Sequence, residues 1–126
     1  MKKIIYTPNA PEPIGPYSQA VLVNGTLYCS GQVAIDPSDG SMKMADIEEE
    51  SHQVMKNLSA VLKAAEMQFS DVVKCSIFLK SMDDFARVNA VYEEYFSIDA
   101  PARETVQVAK LPKDVNVEIS LIAVKG

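Results

Sequence analysis

The sequence predicts an α+β protein, with a sheet of about six strands and two helices that must pack on one of its faces. Three observations carry this. Short runs alternate apolar and polar residues with the period of a strand, and two longer stretches repeat apolar residues at helical spacing. The runs also follow one another as strand, hairpin, helix, strand, helix, strand, strand, which suits an α+β layer better than a parallel sheet.

The first element, Lys3 to Thr7, reads as a short edge strand. It leads into Pro8 to Pro16, a loop stiffened by four prolines, whose reduced conformational freedom holds the following Tyr17 in place. Ser18 to Val23 and Thr26 to Val33 flank Asn24-Gly25, so they form two antiparallel strands joined by a two-residue turn. Strict alternation puts Leu27, Cys29 and Gly31 on one face of the second strand and Tyr28, Ser30 and Gln32 on the other. Ser30 and Gly31 then lie at the strand's end, where a hydroxyl and a bare backbone can approach a ligand, although serine is also an ordinary strand residue.

Asp36-Pro37-Ser38-Asp39-Gly40 is a turn. Asp46 with Glu49 three residues on forms a capping box, which opens a helix expected to run to about Met67. Its apolar stripe is Ile47, Val54, Leu58, Val61, Leu62 and Ala65. Val72 to Leu79 is a strand, and Ser81 with Asp84 opens the second helix, striped by Phe85, Val88, Tyr92, Tyr95 and Phe96. Asn89 is one turn from Phe85 and nearly in register with that stripe.

The last two strands carry the residues of most chemical interest. Arg103, Thr105 and Gln107 alternate with Glu104, Val106 and Val108, and Val115, Val117, Ile119, Leu121 and Ala123 alternate with Asn116, Glu118, Ser120 and Ile122. An ionised side chain on a core strand needs a partner, so Arg103 and Glu118 either pair with each other or serve a ligand, a water or a subunit contact. The semi-polar faces holding Arg103, Thr105, Glu118 and Ser120 are expected to form the side of the sheet that the helices leave bare. Association of identical subunits would cover it.

Composition narrows the function. The 126 residues fit one domain, 1–126, that buries about two-thirds of its unfolded surface. The balance of 48% hydrophobic and 23% charged residues is that of a globular protein. No apolar run approaches the roughly 20 residues that span a bilayer, and Met1 to Tyr6 is too short for a signal peptide, so a cytoplasmic location is expected. Cys29 and Cys75 sit in apolar runs and read as buried, unreactive thiols. His52 is the only histidine, in a polar helical stretch, and reads as a solvated side chain, which excludes Ser-His-Asp and Cys-His catalysis and His-rich metal sites. A net charge of −5 and the absence of a basic run argue against nucleic acid, and the 5 glycines form no phosphate-cradling loop.

Five ordered motifs then point to a family: Ile14-Gly15-Pro16-Tyr17-Ser18-Gln19, Ser30-Gly31-Gln32, Asp84 to Tyr92, Pro101-Ala102-Arg103, and Leu111-Pro112-Lys113 followed by Val117-Glu118-Ile119. Over essentially its whole length the chain resembles the reactive-intermediate deaminase (Rid, YjgF-like) family, RidA type. The resemblance implies a chorismate-mutase-like fold, a homotrimer with clefts between subunits, and cofactor-independent, metal-free hydrolysis of enamines or imines such as 2-aminoacrylate to 2-keto acids and ammonia. By motif position it implies that Arg103 binds the substrate carboxylate, that Glu118 positions a water, and that Tyr17, Ser30 and Gly31 wall the cleft. We add Thr105, beside Arg103 on its face, as a substrate-binding residue, and Phe85 and Asn89 as cleft contributors.

Two positions depart from the family pattern. Glu104 stands where serine is common, although alternation sends it to the face opposite Arg103. Glu66-Met67-Gln68 lacks the glycine that often ends the first helix. The rival to an imine deaminase is a non-catalytic trimer that binds 2-keto acids or a partner. Retention of Glu118 favours catalysis, because a carboxylate-binding pocket alone needs only Arg103.

Overall fold

A computed structural model describes residues 1–126. Six strands, β1 (Lys3–Ile5), β2 (Ala20–Val23), β3 (Thr26–Gln32), β4 (Val72–Leu79), β5 (Ala102–Gln107) and β6 (Val117–Val124), form one sheet in the order β1-β2-β3-β6-β4-β5. All neighbours run antiparallel except β4 and β5, which are parallel and joined through the second helix. The sheet is therefore mixed, and its two helices, α1 (Ile47–Ala64) and α2 (Phe85–Tyr95), pack on each other, with α1 lying against β3 and β6.

The core lies between α1 and one face of the sheet. Val54, Leu58, Val61 and Leu62 of α1 are buried against Leu27, Cys75, Ile77, Ile119 and Leu121. Burying each large aliphatic side chain stabilises the fold by about 1.5–3 kcal/mol. The β2–β3 turn follows from its sequence, since Asn24 (φ 50°) and Gly25 (φ 78°) both adopt the left-handed conformation that a two-residue hairpin requires.

Helix α1 starts as expected, with the Asp46 carboxylate accepting from the Glu49 N–H at 2.7 Å and Glu49 accepting from Ala45 N–H at 3.2 Å. It ends at Ala64 rather than near Met67, because Glu66 turns left-handed (φ 59°). Glu66 N–H then donates to Lys63 O and Met67 N–H to Leu62 O, both at 2.9 Å, while Met67 is buried beside Leu62. This is the Schellman ending usually made by glycine. Before α2 the Ser81 hydroxyl caps a 3-10 turn at Met82–Asp84, so the helix proper begins at Phe85, which remains 36% exposed instead of joining the core.

Two other expectations are corrected. Alternation fails at the end of β3, because Cys29 pairs with Leu121 and Gln32 with Ile119, leaving Ser30 and Gly31 together opposite Ser120. This β-bulge turns Gln32 into the core, on the same side as Cys29. His52 is not simply solvated, since its Nδ1 shares a 2.8 Å hydrogen bond with the Tyr95 hydroxyl and ties α1 to α2.

Candidate active site

Strand register decides what the site can be. Arg103 pairs with Cys75, which pairs with Leu121, and Thr105 pairs with Ile77, which pairs with Ile119. Cross-strand partners share a face, so Arg103 and Thr105 stand on the helix side of the sheet. Glu118 pairs with Phe78 and Ser120 with Ser76, on the opposite, open side. The expectation that Arg103, Thr105, Glu118 and Ser120 share one face is therefore wrong. Within one subunit the sheet separates Arg103 from Glu118, and no ion pair joins them.

The Glu118 half of the site is a cleft of about 500 Å³ lined by Tyr17, Ser30, Gly31 and Glu118, together with Pro11 and Ile35 among others. The bulge makes room for the carboxylate. A Cβ on Gly31 would come within 2.8 Å of the Glu118 carboxyl carbon, closer than side-chain atoms approach one another, so only glycine admits this carboxyl over its backbone. Ser30 lines the cleft as its motif suggests, and its hydroxyl donates to Ser18 O at 2.6 Å, which pins the chain leading to β2. Tyr17 is exposed, and its hydroxyl accepts from Ile14 N–H at 3.3 Å, so the phenol folds back on the proline-rich loop. Burial raises the pKa of Glu118 above the ordinary carboxylate value, because it disfavours the charged form, and no cation opposes the shift.

Three buried polar side chains that the sequence reading passed over hold the walls of this cleft. The Gln19 amide accepts from Thr7 N–H at 2.7 Å and donates to Thr7 O, Ala10 O and Pro11 O, fixing the proline-rich wall. Asn57 donates from α1 to Val33 O at 3.0 Å and Ile35 O at 2.9 Å. Glu50, fully buried in α1, accepts from the Asn116 backbone and side-chain N–H groups at 2.8 Å each, two residues before Glu118. A signal existed for two of them, since Glu50 and Asn57 fall in phase with the apolar stripe of α1, where a polar residue must find a buried partner.

The Arg103 half lies across the sheet. Its guanidinium sits 4.8 Å from the ring centroid of Tyr92 and 5.6 Å from that of Phe85, both on α2. Aromatic faces attract a cation and hold it in place without neutralising it, so Arg103 keeps its donors free. The hydroxyl of Thr105 and that of Tyr92, a residue only 6% exposed, are buried without a conventional hydrogen-bond partner. Tyr92 adjoins the Cys75 thiol, and burial pushes both groups toward their protonated forms. Asn89 is half-buried on the same helix and makes no side-chain hydrogen bond. Glu104 points the other way, to Ser76 and to Lys74 Nζ at 3.0 Å, and these partners hold its carboxyl below the usual range.

Elsewhere the chemistry is sparse. Cys29 is buried, its thiol pushed up to about 12, and no group of three or more His, Cys, Asp or Glu side chains is placed to hold a metal ion. No helix is long and apolar enough to cross a membrane.

Comparisons with known proteins agree with the motif reading. The family model described as Endoribonuclease L-PSP matches residues 7–125. A mouse protein named 2-iminobutanoate/2-iminopropanoate deaminase is 49% identical over 126 residues, covering 100% of this chain and 93% of its own. A Pyrococcus horikoshii protein named only for the RutC family is 49% identical over 125 residues, covering 99% of each. Among solved structures, Escherichia coli TdcF with bound serine superposes with a TM-score of 0.94 at 38% identity, over 98% of this chain and 99% of that one. The chain belongs to the Endoribonuclease L-PSP family, the YjgF/Rid group that its motifs resemble.

Proposed function

We propose that this chain is a cofactor-independent 2-imino acid deaminase whose active clefts form between subunits of a homotrimer. The observation that carries the proposal is the placement of Arg103 and Glu118 on opposite faces of one sheet, each without a charged partner. A site that uses both must take them from two copies of the chain. The open face supports such an association, since Tyr28 and Val106 stand exposed there near the partly buried Phe78 and Ile122. The number three is what the family resemblance implies.

In this reading the Arg103 guanidinium, steadied by Tyr92 and Phe85, grips the substrate carboxylate through two parallel hydrogen bonds. The imine carbon is thereby held over the cleft of the neighbouring copy, where Glu118 positions a water. The water oxygen bonds to the imine carbon as Glu118 takes a water proton, and the nitrogen gains a proton to give a carbinolamine. Transfer of the hydroxyl proton to nitrogen then breaks the C–N bond, which leaves a 2-keto acid and ammonia. The imine is already electrophilic, so positioning and modest acid-base help suffice. Burial of Glu118 moves its proton affinity toward neutral pH, where a group that both accepts and returns a proton works best.

The names of mammalian relatives as imine deaminases support this reading. The TdcF structure, with serine bound, shows an amino acid held by a related protein and favours the second reading, a non-catalytic binder of amino or keto acids. One assay tests the proposal: short-lived imines are generated with an amino-acid oxidase and trapped with semicarbazide. The protein is expected to divert imine to keto acid, which reacts with semicarbazide more slowly, and an unchanged initial rate of semicarbazone formation with every imine would reject the enzyme.

A further inference from the structure

Where the start of the proline-rich loop meets the outer face of α1, a cavity of about 460 Å³ opens that shares no residue with the Glu118 cleft. Thr7 and Asn9 form one side of it, and Lys56, Ser59 and Lys63 of α1 form the other, with Ala60 and Ala64 as a low floor between them. We propose that this cavity binds a small molecule bearing a diphosphate, and that its occupancy acts on the wall of the Glu118 cleft.

Charge sets the ligand class. The chain carries a net charge of −5, yet the only charged residues lining this cavity are two lysines, and neither belongs to an ion pair. A concave surface with charge of one sign concentrates a field that draws in the opposite sign. Lys56 and Lys63 lie seven residues apart, two turns or about 10.5 Å along the helix axis, with Ser59 between them on the same face. Their flexible stems can close on a ligand from both ends, and each ammonium offers three donors to phosphate oxygens. A single phosphate is short for that spacing, whereas a diphosphate fills it. The Ser59 hydroxyl and the Asn9 amide make no side-chain hydrogen bond within the chain and are free to donate to it.

The wall opposite the lysines connects the two cavities. The Gln19 amide accepts from Thr7 N–H at 2.7 Å and donates to Thr7 O at 3.0 Å, and the same amide donates to Pro11 O at 3.0 Å. Thr7 lines the lysine cavity, while Gln19 and Pro11 line the Glu118 cleft, so one buried side chain ties a wall of each. A ligand that fixes Thr7 and Asn9 against α1 therefore also fixes the proline-rich wall behind which a keto acid binds. This second step rests on the reading of the Glu118 cleft given above; the phosphate site does not.

Calorimetry with inorganic pyrophosphate tests the site directly, with citrate as a polycarboxylate control at matched ionic strength. Pyrophosphate should bind, more tightly than citrate, and weaken as salt is added. Lys56→Gln and Lys63→Gln, both at exposed positions, should each weaken it about fivefold, and the double variant roughly 25-fold. Ala64→Phe, which fills the cavity and leaves every charge in place, should weaken it at least tenfold. No binding, citrate binding as tightly as pyrophosphate, or binding untouched by these variants would overturn the site. Saturating pyrophosphate should shift the affinity of 2-oxobutanoate at least twofold, and 2-oxobutanoate should shift that of pyrophosphate by the same factor. Both ligands binding with no mutual effect would overturn the link between the cavities, and 2-oxobutanoate failing to bind at all would overturn the reading of the Glu118 cleft while the phosphate site stands.

Discussion

The Glu118 carboxyl lies over the backbone of Gly31 in the space that any other residue's Cβ would occupy, 2.8 Å from the carboxyl carbon. The bulge that sets Ser30 and Gly31 against the single residue Ser120 exists at the place where this contact is made. Gly31→Ala must therefore move the carboxyl, and a displacement of about 1 Å from a productive geometry typically costs on the order of 100-fold in rate. Imine turnover should fall by about that factor while 2-keto acid binding through Arg103 survives. Turnover beside calorimetric affinity checks this, and a variant with unimpaired turnover would separate Glu118 from the chemistry.

The raised proton affinity of Glu118 makes a pH prediction whose sign is fixed. Because burial raises the folded-state value, the protonated form is favoured by folding, and stability is lost as pH rises through the folded value. Glu118→Gln removes that loss, so above this pH the variant should be at least as stable as the parent in thermal melts. Its turnover should nevertheless drop about 10²- to 10⁴-fold, the usual contribution of a positioned acid-base group. In the parent, activity should fall on acidification at a pH above the ordinary carboxylate range. A less stable Glu118→Gln protein of normal activity would assign Glu118 a structural role.

Tyr92 holds the Arg103 guanidinium at 4.8 Å. A desolvated cation–π contact is worth up to about 2 kcal/mol, or roughly 30-fold. Tyr92→Leu should raise KM by up to that factor with a smaller effect on kcat, and Tyr92→Phe, which keeps the ring, should restore KM. If the two variants behave alike, the ring is not what positions Arg103.

Much of the fold was legible because its signals are local. The Asn24-Gly25 turn, the Asp46 cap and the alternation of Val72–Leu79 each depend on residues a few positions apart, and each appears where the sequence places it. Register between strands is not local. Alternation tells which residues of β5 share a face, but only pairing with β4 shows that Arg103 joins Cys75 on the helix side while Glu118 joins Phe78 on the other. The bulge at Ser30-Gly31 escaped notice for a related reason, since one extra residue reverses the faces beyond it. Gln19, Glu50 and Asn57 were missed because their partners lie on other segments of the chain, mostly as backbone groups that no side-chain pattern marks.

Glu66 offers a test of stability free of function. It is held left-handed at φ 59° to end α1, a conformation that costs an L-residue with a Cβ roughly 1 kcal/mol relative to glycine. Glu66→Gly should raise the melting temperature by roughly 4 °C with activity unchanged. A lower melting temperature would mean that the Glu66 side chain contributes more than its backbone strain costs.

The central claim is that each active cleft joins Arg103 of one subunit to Glu118 of another. Arg103→Ala and Glu118→Gln should each be folded and nearly inactive, the first losing about 2–5 kcal/mol of carboxylate binding. When the two variants are unfolded together in equal amounts and refolded, random assembly gives about a quarter of the clefts one intact Arg103 and one intact Glu118. The decisive measurement is imine hydrolysis by this mixture. Recovery of about a quarter of the parent activity, in assemblies that light scattering shows to be trimers, is the predicted result; activity no higher than that of the separate variants would contradict the shared site.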